Sequence, residues 1–244
     1  MLGRFLEISI ATPDILASIG FYEALGLQQI AANEIWPHPY AVMTDGRLFI
    51  GLHQQSMSSP MLTFVQADLA QHVAALRQTL QPFHIEFDHE HLSSESFNEL
   101  RFRDLAGQSI RLLEARTFSP PDLTPNFSTE CGYFVEYGMP NKDLTNGKQF
   151  WEQLGFIAMD EEATPFNRMP LTSSHLNLGL HRSRALREPV LVFEDPEMPA
   201  RLATLRTRGL NLSDAMPDTL DEQCNAVLIA PEGTRLLLMQ SEET

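Results

Sequence analysis

The stretch from Glu7 to Leu27, EISIATPDILASIGFYEALGL, decides how this chain is read. It has the pattern of a short strand, a turn and a helix that stops at Gly26. A related stretch, EYGMPNKDLTNGKQFWEQLGF, occupies Glu136 to Phe156, an offset of 129. Six of the 21 paired positions are identical: Glu7/Glu136, Asp14/Asp143, Phe21/Phe150, Glu23/Glu152, Leu25/Leu154 and Gly26/Gly155. At an offset of 128, LFIGLH (Leu48 to His53) falls on LNLGLH (Leu176 to His181). Shared spacing across two separate runs identifies an internal duplication.

Working outward, Phe5, Glu7 and Ser9 fall on one face of the first strand and Leu6, Ile8 and Ile10 on the other. The second set is expected under the helix, with Glu7 on the opposite surface of the sheet. Thr12 is expected to cap that helix, with Pro13 at its first position and Ile15, Ile19, Tyr22 and Leu25 toward the core. Asp45-Gly46 predicts a hairpin before RLFIGLH. A second strand–helix unit follows: MLTFV from Met61, a helix over 68–80, FHIEF as a strand, DHEHLSSES as a loop, a strand over 97–102, and SIRLLEA to close. The second half repeats this order, with a helix over 199–208 and Gly147 weakening the one before it. Each half is thus expected to contain two strand–helix–strands units.

The 244 residues suit two domains of about 120. The expected boundaries are 1–117 and 131–244, with the proline-, serine- and threonine-rich run 118–130 as linker. With 17 basic and 32 acidic side chains the formal charge is −15, which disfavours nucleic acid and anionic membranes. No apolar run reaches the length of a membrane span. The start, MLGRFLEISI, lacks the features of a secretory leader, so the cytoplasm is the expected compartment. Cys131 and Cys224 form no CxxC, which supports neither a disulfide framework nor a cysteine-rich zinc site. No GxGxxG, Walker, GxSxG or HExxH motif is present.

The run D-I-L-A-S-I-G-F-Y-E-A-L-G (14–26), followed by D-L-A-G-Q-S-I-R-L-L-E (104–114), resembles the vicinal oxygen chelate superfamily. That group contains glyoxalases, bleomycin and fosfomycin resistance proteins, and extradiol dioxygenases. The resemblance implies an α+β fold of four βαβββ units in two tandem domains, each a curved mixed sheet around a cleft. It also implies metal-ligand positions at Glu7, Gly51, Met61 and Arg111 in the first half, and at Glu136, Gly179, Val190 and Leu237 in the second. Glycine, valine and leucine supply no donor and arginine repels a cation, so neither set makes a conventional metal site.

Four residues are therefore expected to carry chemistry without a metal or other cofactor: Glu7, His53, Glu136 and His181. His53 and His181 share the strand face of the glycines two residues before them, which makes Glu7/His53 and Glu136/His181 candidate acid–imidazole couples. Arg111 is expected to pair with Glu7 or to bind a carboxylate. Glu136, lacking a charged partner at the corresponding positions, is expected to have a raised pKa if dry. Trp36, His38 and Tyr40 are expected as an aromatic wall to the first cleft, with Met61 beside it. His175 and Asn177 are expected to line the second. The functional expectation is a glyoxalase- or bleomycin-resistance-like protein binding a small polar or aromatic molecule without metal, as a monomer or homodimer. The alternatives are a metal-dependent lyase, isomerase or dioxygenase with an unconventional ligand set, and a non-catalytic scaffold.

Overall fold

The computed structural model describes residues 2–31, 36–93, 97–115, 129–213 and 215–241. In the first half the elements are β1 (Arg4–Ala11), α1 (Ile15–Ala24), β2 (Gln28–Ile30), β3 (Tyr40–Thr44), β4 (Phe49–His53), β5 (Met61–Gln66), α2 (Leu69–Leu80), β6 (Phe87–His91), β7 (Glu99–Arg103) and β8 (Ser109–Glu114). The second half runs β9 (Tyr133–Pro140), α3 (Leu144–Gln153), β10 (Ile157–Ala158), β11 (Arg168–Thr172), β12 (Leu178–His181), β13 (Val190–Asp195), α4 (Met198–Thr207), β14 (Leu212–Ser213), β15 (Ala226–Ile229) and β16 (Arg235–Gln240). Each half is an eight-stranded mixed sheet, ordered β2-β3-β4-β1-β5-β8-β7-β6 and β10-β11-β12-β9-β13-β16-β15-β14. Within each sheet two βαβββ units meet at an antiparallel seam, β1 on β5 and β9 on β13. The four expected units are present. The expected linker, 118–130, lies outside the described residues except for Thr129 and Glu130.

Local chemistry sets the ends of the helices. Asp14, rather than Thr12, caps α1: its carboxylate accepts from the backbone N–H groups of Leu16 and Ala17, both at 3.1 Å. Thr12 instead bonds Ser18 at 2.8 Å, and Tyr22 and Leu25 are fully buried. In α3, Asp143 plays the capping part by accepting from Asn146 N–H at 3.1 Å. Gly147 is there for contact: a Cβ would stand 2.6 Å from Asn141 Nδ2 and 2.8 Å from a Leu180 methyl. The helix approaches the sheet this closely because the side chain is absent.

Two expectations about strands are corrected. Both seams carry an irregularity, between Phe5 and Glu7 in β1 and between Val192 and Phe193 opposite β9. The first shifts side-chain parity, so Phe5 joins Ile8 and Ile10 in the core while Glu7 stays on the other face. FHIEF is not a strand: Gln81–Phe83 form a 3-10 turn and His84 takes φ +55°. The strand begins at Phe87 and runs through residues expected to be a loop.

One apolar core extends through both halves. Phe83 meets Phe150 edge-on with ring centroids 5.3 Å apart. Ser18 and Tyr22 donate to the two carboxylate oxygens of Glu232, each at 2.7 Å, and Tyr137 donates to Gln108 Oε1 at 2.9 Å. These buried polar ties fix one half against the other. Among the described residues no helix is long and apolar enough to cross a membrane.

Candidate functional site

On the face of the first sheet away from the helices, strand pairing sets Glu7 opposite Thr63 and Thr63 opposite Arg111. Met61 stands opposite Ser9, two residues from the position that faces Glu7. Ser9, Thr63 and His53 are fully buried, and Glu7 is 1% exposed. The Glu7 carboxylate lies over Gly51, where an added Cβ would be 2.1 Å from it. That glycine is a requirement of the site.

Three side chains donate to this carboxylate. Oε1 receives Ser9 Oγ at 2.6 Å and His53 Nε2 at 2.9 Å, and Oε2 receives Tyr40 OH at 2.5 Å. Burial alone would raise the Glu7 carboxyl, but His53, Ser9 and Tyr40 outweigh it and hold the group below its ordinary value. Because Nε2 of His53 gives its proton to Glu7, Nδ1 is left to accept from His38 Nε2 at 2.9 Å. Burial, then the neighbouring His53 and Arg111, lower the pKa of His38 and favour its neutral form. The chain Glu7–His53–His38 thus runs from a dry interior to a half-exposed imidazole.

The expected Glu7–Arg111 pair is indirect. The nearest approach is 3.9 Å, and Arg111 donates instead to Ser9 Oγ at 3.0 Å and Thr63 Oγ1 at 3.2 Å. Ser9 passes the interaction on by donating to Glu7. Trp36 covers this centre, with the Arg111 guanidinium 4.8 Å from its ring and His53 meeting it edge-on at 5.3 Å. Trp36 stacks on His38 and meets Tyr40 edge-on, and Tyr40 packs on His53.

The second half keeps the glutamate, the glycine and the histidine but not the network. Glu136 lies over Gly179, with a would-be Cβ 2.1 Å from Oε1. Its register partners are Val192 and, beyond that, Leu237. Glu136 bonds Arg168 at 3.1 Å, and Arg168 also bonds Glu162 at 2.6 Å. Burial raises the Glu136 carboxyl in spite of that arginine. The expected Glu136/His181 couple does not form. His181 is 2% exposed, and neither ring nitrogen has a hydrogen-bond partner among the described residues. Burial pushes its pKa down to about 4. The cause is one position: Tyr40 faces His53 across β3–β4, and Arg168 faces His181 across β11–β12. A neutral phenol leaves Glu7 available to His53, whereas a guanidinium takes Glu136 for itself.

The rest of this second face is apolar. Val190, Val192, Val227, Leu237 and Met239 pack under Phe166, Leu186 and Met216. His175 and Asn177 do not line it; both are exposed, and Asn177 bonds Thr172 and the Val135 carbonyl. Arg168 and Ser9, which complete the two networks, escaped sequence reasoning. Ser9 was legible as sharing the strand face of Glu7, but nothing local to Arg168 pointed to Glu136.

No protein-family model and no curated protein matches this sequence. Solved structures do. A catechol 2,3-dioxygenase is 14% identical, with a TM-score of 0.61 over 99% of this chain and 88% of its own. The 2,3-dioxygenase LapB from Pseudomonas sp. KL28 is 14% identical, with 0.61 over 100% and 94%. The 2,2',3-trihydroxybiphenyl 1,2-dioxygenase of Sphingomonas wittichii strain RW1 is 15% identical, with 0.61 over 99% and 90%. These dioxygenases overturn the expectation of a metal-free, glyoxalase- or bleomycin-resistance-like binder. With its two tandem sheets, each built from a pair of βαβββ units, this chain has the two-domain vicinal-oxygen-chelate fold of the extradiol dioxygenases.

Proposed function

We propose that the first half carries the chemistry of a metal-dependent lyase, isomerase or dioxygenase with an unconventional ligand set, and that the second half is its structural partner. The domains are taken as 1–117 and 131–244. The single observation that carries the reading is the buried Glu7–His53 pair, a carboxylate and an imidazole held 2.9 Å apart. Support for the class comes from the dioxygenases that share the fold.

The positions implied by the family resemblance do not fit an ion in either half. Glu136 faces hydrocarbon, and Glu7 faces Thr63 with a guanidinium behind it. The fit lies off that register. Glu7 Oε1 and His53 Nε2, 2.9 Å apart, are the two donors that would hold an ion. Tyr40 OH, at the other carboxylate oxygen, is the third candidate donor. No three His, Cys, Asp or Glu side chains converge among the described residues, so a tyrosine in the set is what makes it unconventional.

An ion held there would supply Lewis acidity toward a substrate oxygen. The protein's own groups supply the rest. Glu7 is held ionised and would be the anionic ligand. For Nε2 to be a ligand, His53 would carry its proton on Nδ1 instead and donate it to His38 Nε2, so the His53–His38 contact would set the tautomer. Burial, with the Glu7 charge, pushes the Tyr40 phenol well up, so it stays a proton donor to Glu7. Trp36 keeps water from the carboxylate. The formal charge of −15 and the two free cysteines suit cytoplasmic work on a small molecule rather than nucleic acid, as a monomer or homodimer.

The test is elemental analysis of wild type, E7Q and H53Q after loading with iron(II), manganese(II), nickel(II) or zinc(II) and gel filtration. About one ion per chain in wild type, lost in both folded variants, is the expected result. Wild-type protein that retains none of the four ions overturns the proposal.

A further inference from the structure

A cavity of about 350 Å³ lies between the two halves, and neither Glu7 nor His53 lines it. One wall is the segment Ser58–Pro60 before β5 with the turn at 106–109; the other is Met139–Pro140 at the end of β9 with Arg187–Pro189 before β13. We propose that this cavity binds a small organic anion, a carboxylate on a short apolar body.

The volume is that of a small-molecule site. Pro60, Met139, Pro140 and Pro189 supply an apolar lining, and Arg103 and Arg187 supply charge. The two arginines differ. Arg103 is engaged at all three nitrogens, donating to Asp88 at 3.1 Å, to the Gly107 carbonyl at 3.2 Å and to Ser58 at 3.1 Å, so it forms wall. Arg187 uses only Nε, to the Arg184 carbonyl at 3.2 Å, and its two terminal nitrogens bond nothing among the described residues. That free edge is the one that grips a carboxylate through two parallel hydrogen bonds. The one acid in the lining, Glu188, does not neutralise it, being bound to Arg235 at 2.7 Å.

The walls are tied together. Gln108 donates to the Pro60 carbonyl at 3.0 Å and accepts from Tyr137 OH at 2.9 Å, which joins the halves at the cavity. An anion gripped by Arg187 and seated on the prolines touches both halves. The net charge of the chain repels anions at long range, so binding rests on the short-range guanidinium contact and weakens as salt is added.

The experiment is a titration of the ¹⁵N-labelled full chain with benzoate to about 20 mM, read on backbone and arginine N–H resonances. Saturable shifts are expected over residues 58–60, 106–109 and 187–189. R187Q should weaken them by about tenfold or more, while R206Q, at an exposed arginine of α4, makes the same charge change and leaves them intact. Benzamide, the same body without the charge, should shift nothing, and inorganic phosphate should compete less well than benzoate. No shifts by about 20 mM, equal shifts in R187Q, equal shifts from benzamide, or phosphate binding as tightly as benzoate would each overturn the proposal. The spectrum itself reports whether each variant is folded.

Discussion

His181→Leu is expected to stabilise the protein and to remove a large part of its acid sensitivity. In the folded chain the imidazole is 2% exposed and has no hydrogen-bond partner among the described residues. It sits against the Phe166 ring, centroids 5.8 Å apart, and close to the Val190 and Val192 side of Gly138. A buried polar group without a partner costs about 1–3 kcal/mol, so a leucine of similar volume should gain an amount of that order at pH 7. The pH dependence follows from linkage. The folded pKa is about 4 against an ordinary 6.5. The unfolded chain therefore binds the proton first as pH falls, and stability declines from pH 6.5 down to about 4. Between pH 7 and pH 5 that decline comes to about 2 kcal/mol for this one group. Urea denaturation followed by far-UV circular dichroism at both pH values measures it. Wild type should lose about 2 kcal/mol more than H181L over that interval. Glu136 and Glu194, raised by burial, titrate with the opposite sign in both proteins and cancel in the comparison. Equal pH dependence in the two proteins, or a leucine variant less stable at pH 7, would refute the assignment of an unpartnered neutral imidazole.

Three further outcomes are expected. Gly51→Ala drives a methyl into the Glu7 carboxylate and should cost about 2 kcal/mol or more, with loss of the Glu7–His53 hydrogen bond in imidazole NMR; an unchanged imidazole spectrum would contradict the packing. Arg168→Met strands Glu136 in a dry interior and should cost about 3–5 kcal/mol at pH 7, with less lost at acid pH, where the carboxyl protonates; a loss that does not vary with pH would show that Glu136 is not held by Arg168. Tyr40→Phe removes a donor from an ionised carboxylate and should cost about 1.5–3 kcal/mol at neutral pH. Glu7 has a lowered folded pKa, so its contribution is complete above the ordinary 4.5 and is lost as pH falls through the folded value. The gap between wild type and Y40F should therefore close at acid pH, and a constant gap measured by urea denaturation would count against an ionised Glu7.

Strand parity correctly set Glu7 on the face away from the helices, but the irregularity at the β1–β5 seam moved Phe5 to the other side, which a uniform two-residue period cannot show. FHIEF alternates like a strand, yet Gln81–Phe83 coil and His84 adopts a left-handed backbone that displaces the strand to Phe87. Across the two antiparallel seams the glutamates pair with Thr63 and Val192, while Met61 and Val190 pair with Ser9 and Gly138, a register that contiguous sequence does not display.

By itself, the sequence determined the duplication, the four βαβββ units and the equivalent placing of Glu7 with Glu136, Gly51 with Gly179 and His53 with His181. These follow from local periodicity and from the repeat offset, both properties of contiguous residues. Only the tertiary structure decided which partner each buried group takes. Tyr40 and Arg168 reach their glutamates by pairing across strands, and the apolar cover on the second face is assembled from loops far apart in the chain. In a dry interior an ionised carboxylate must find a donor or a countercharge. One half meets that need with a tyrosine and a histidine, the other with an arginine, and the choice rests on strand register rather than on the residues beside the glutamate.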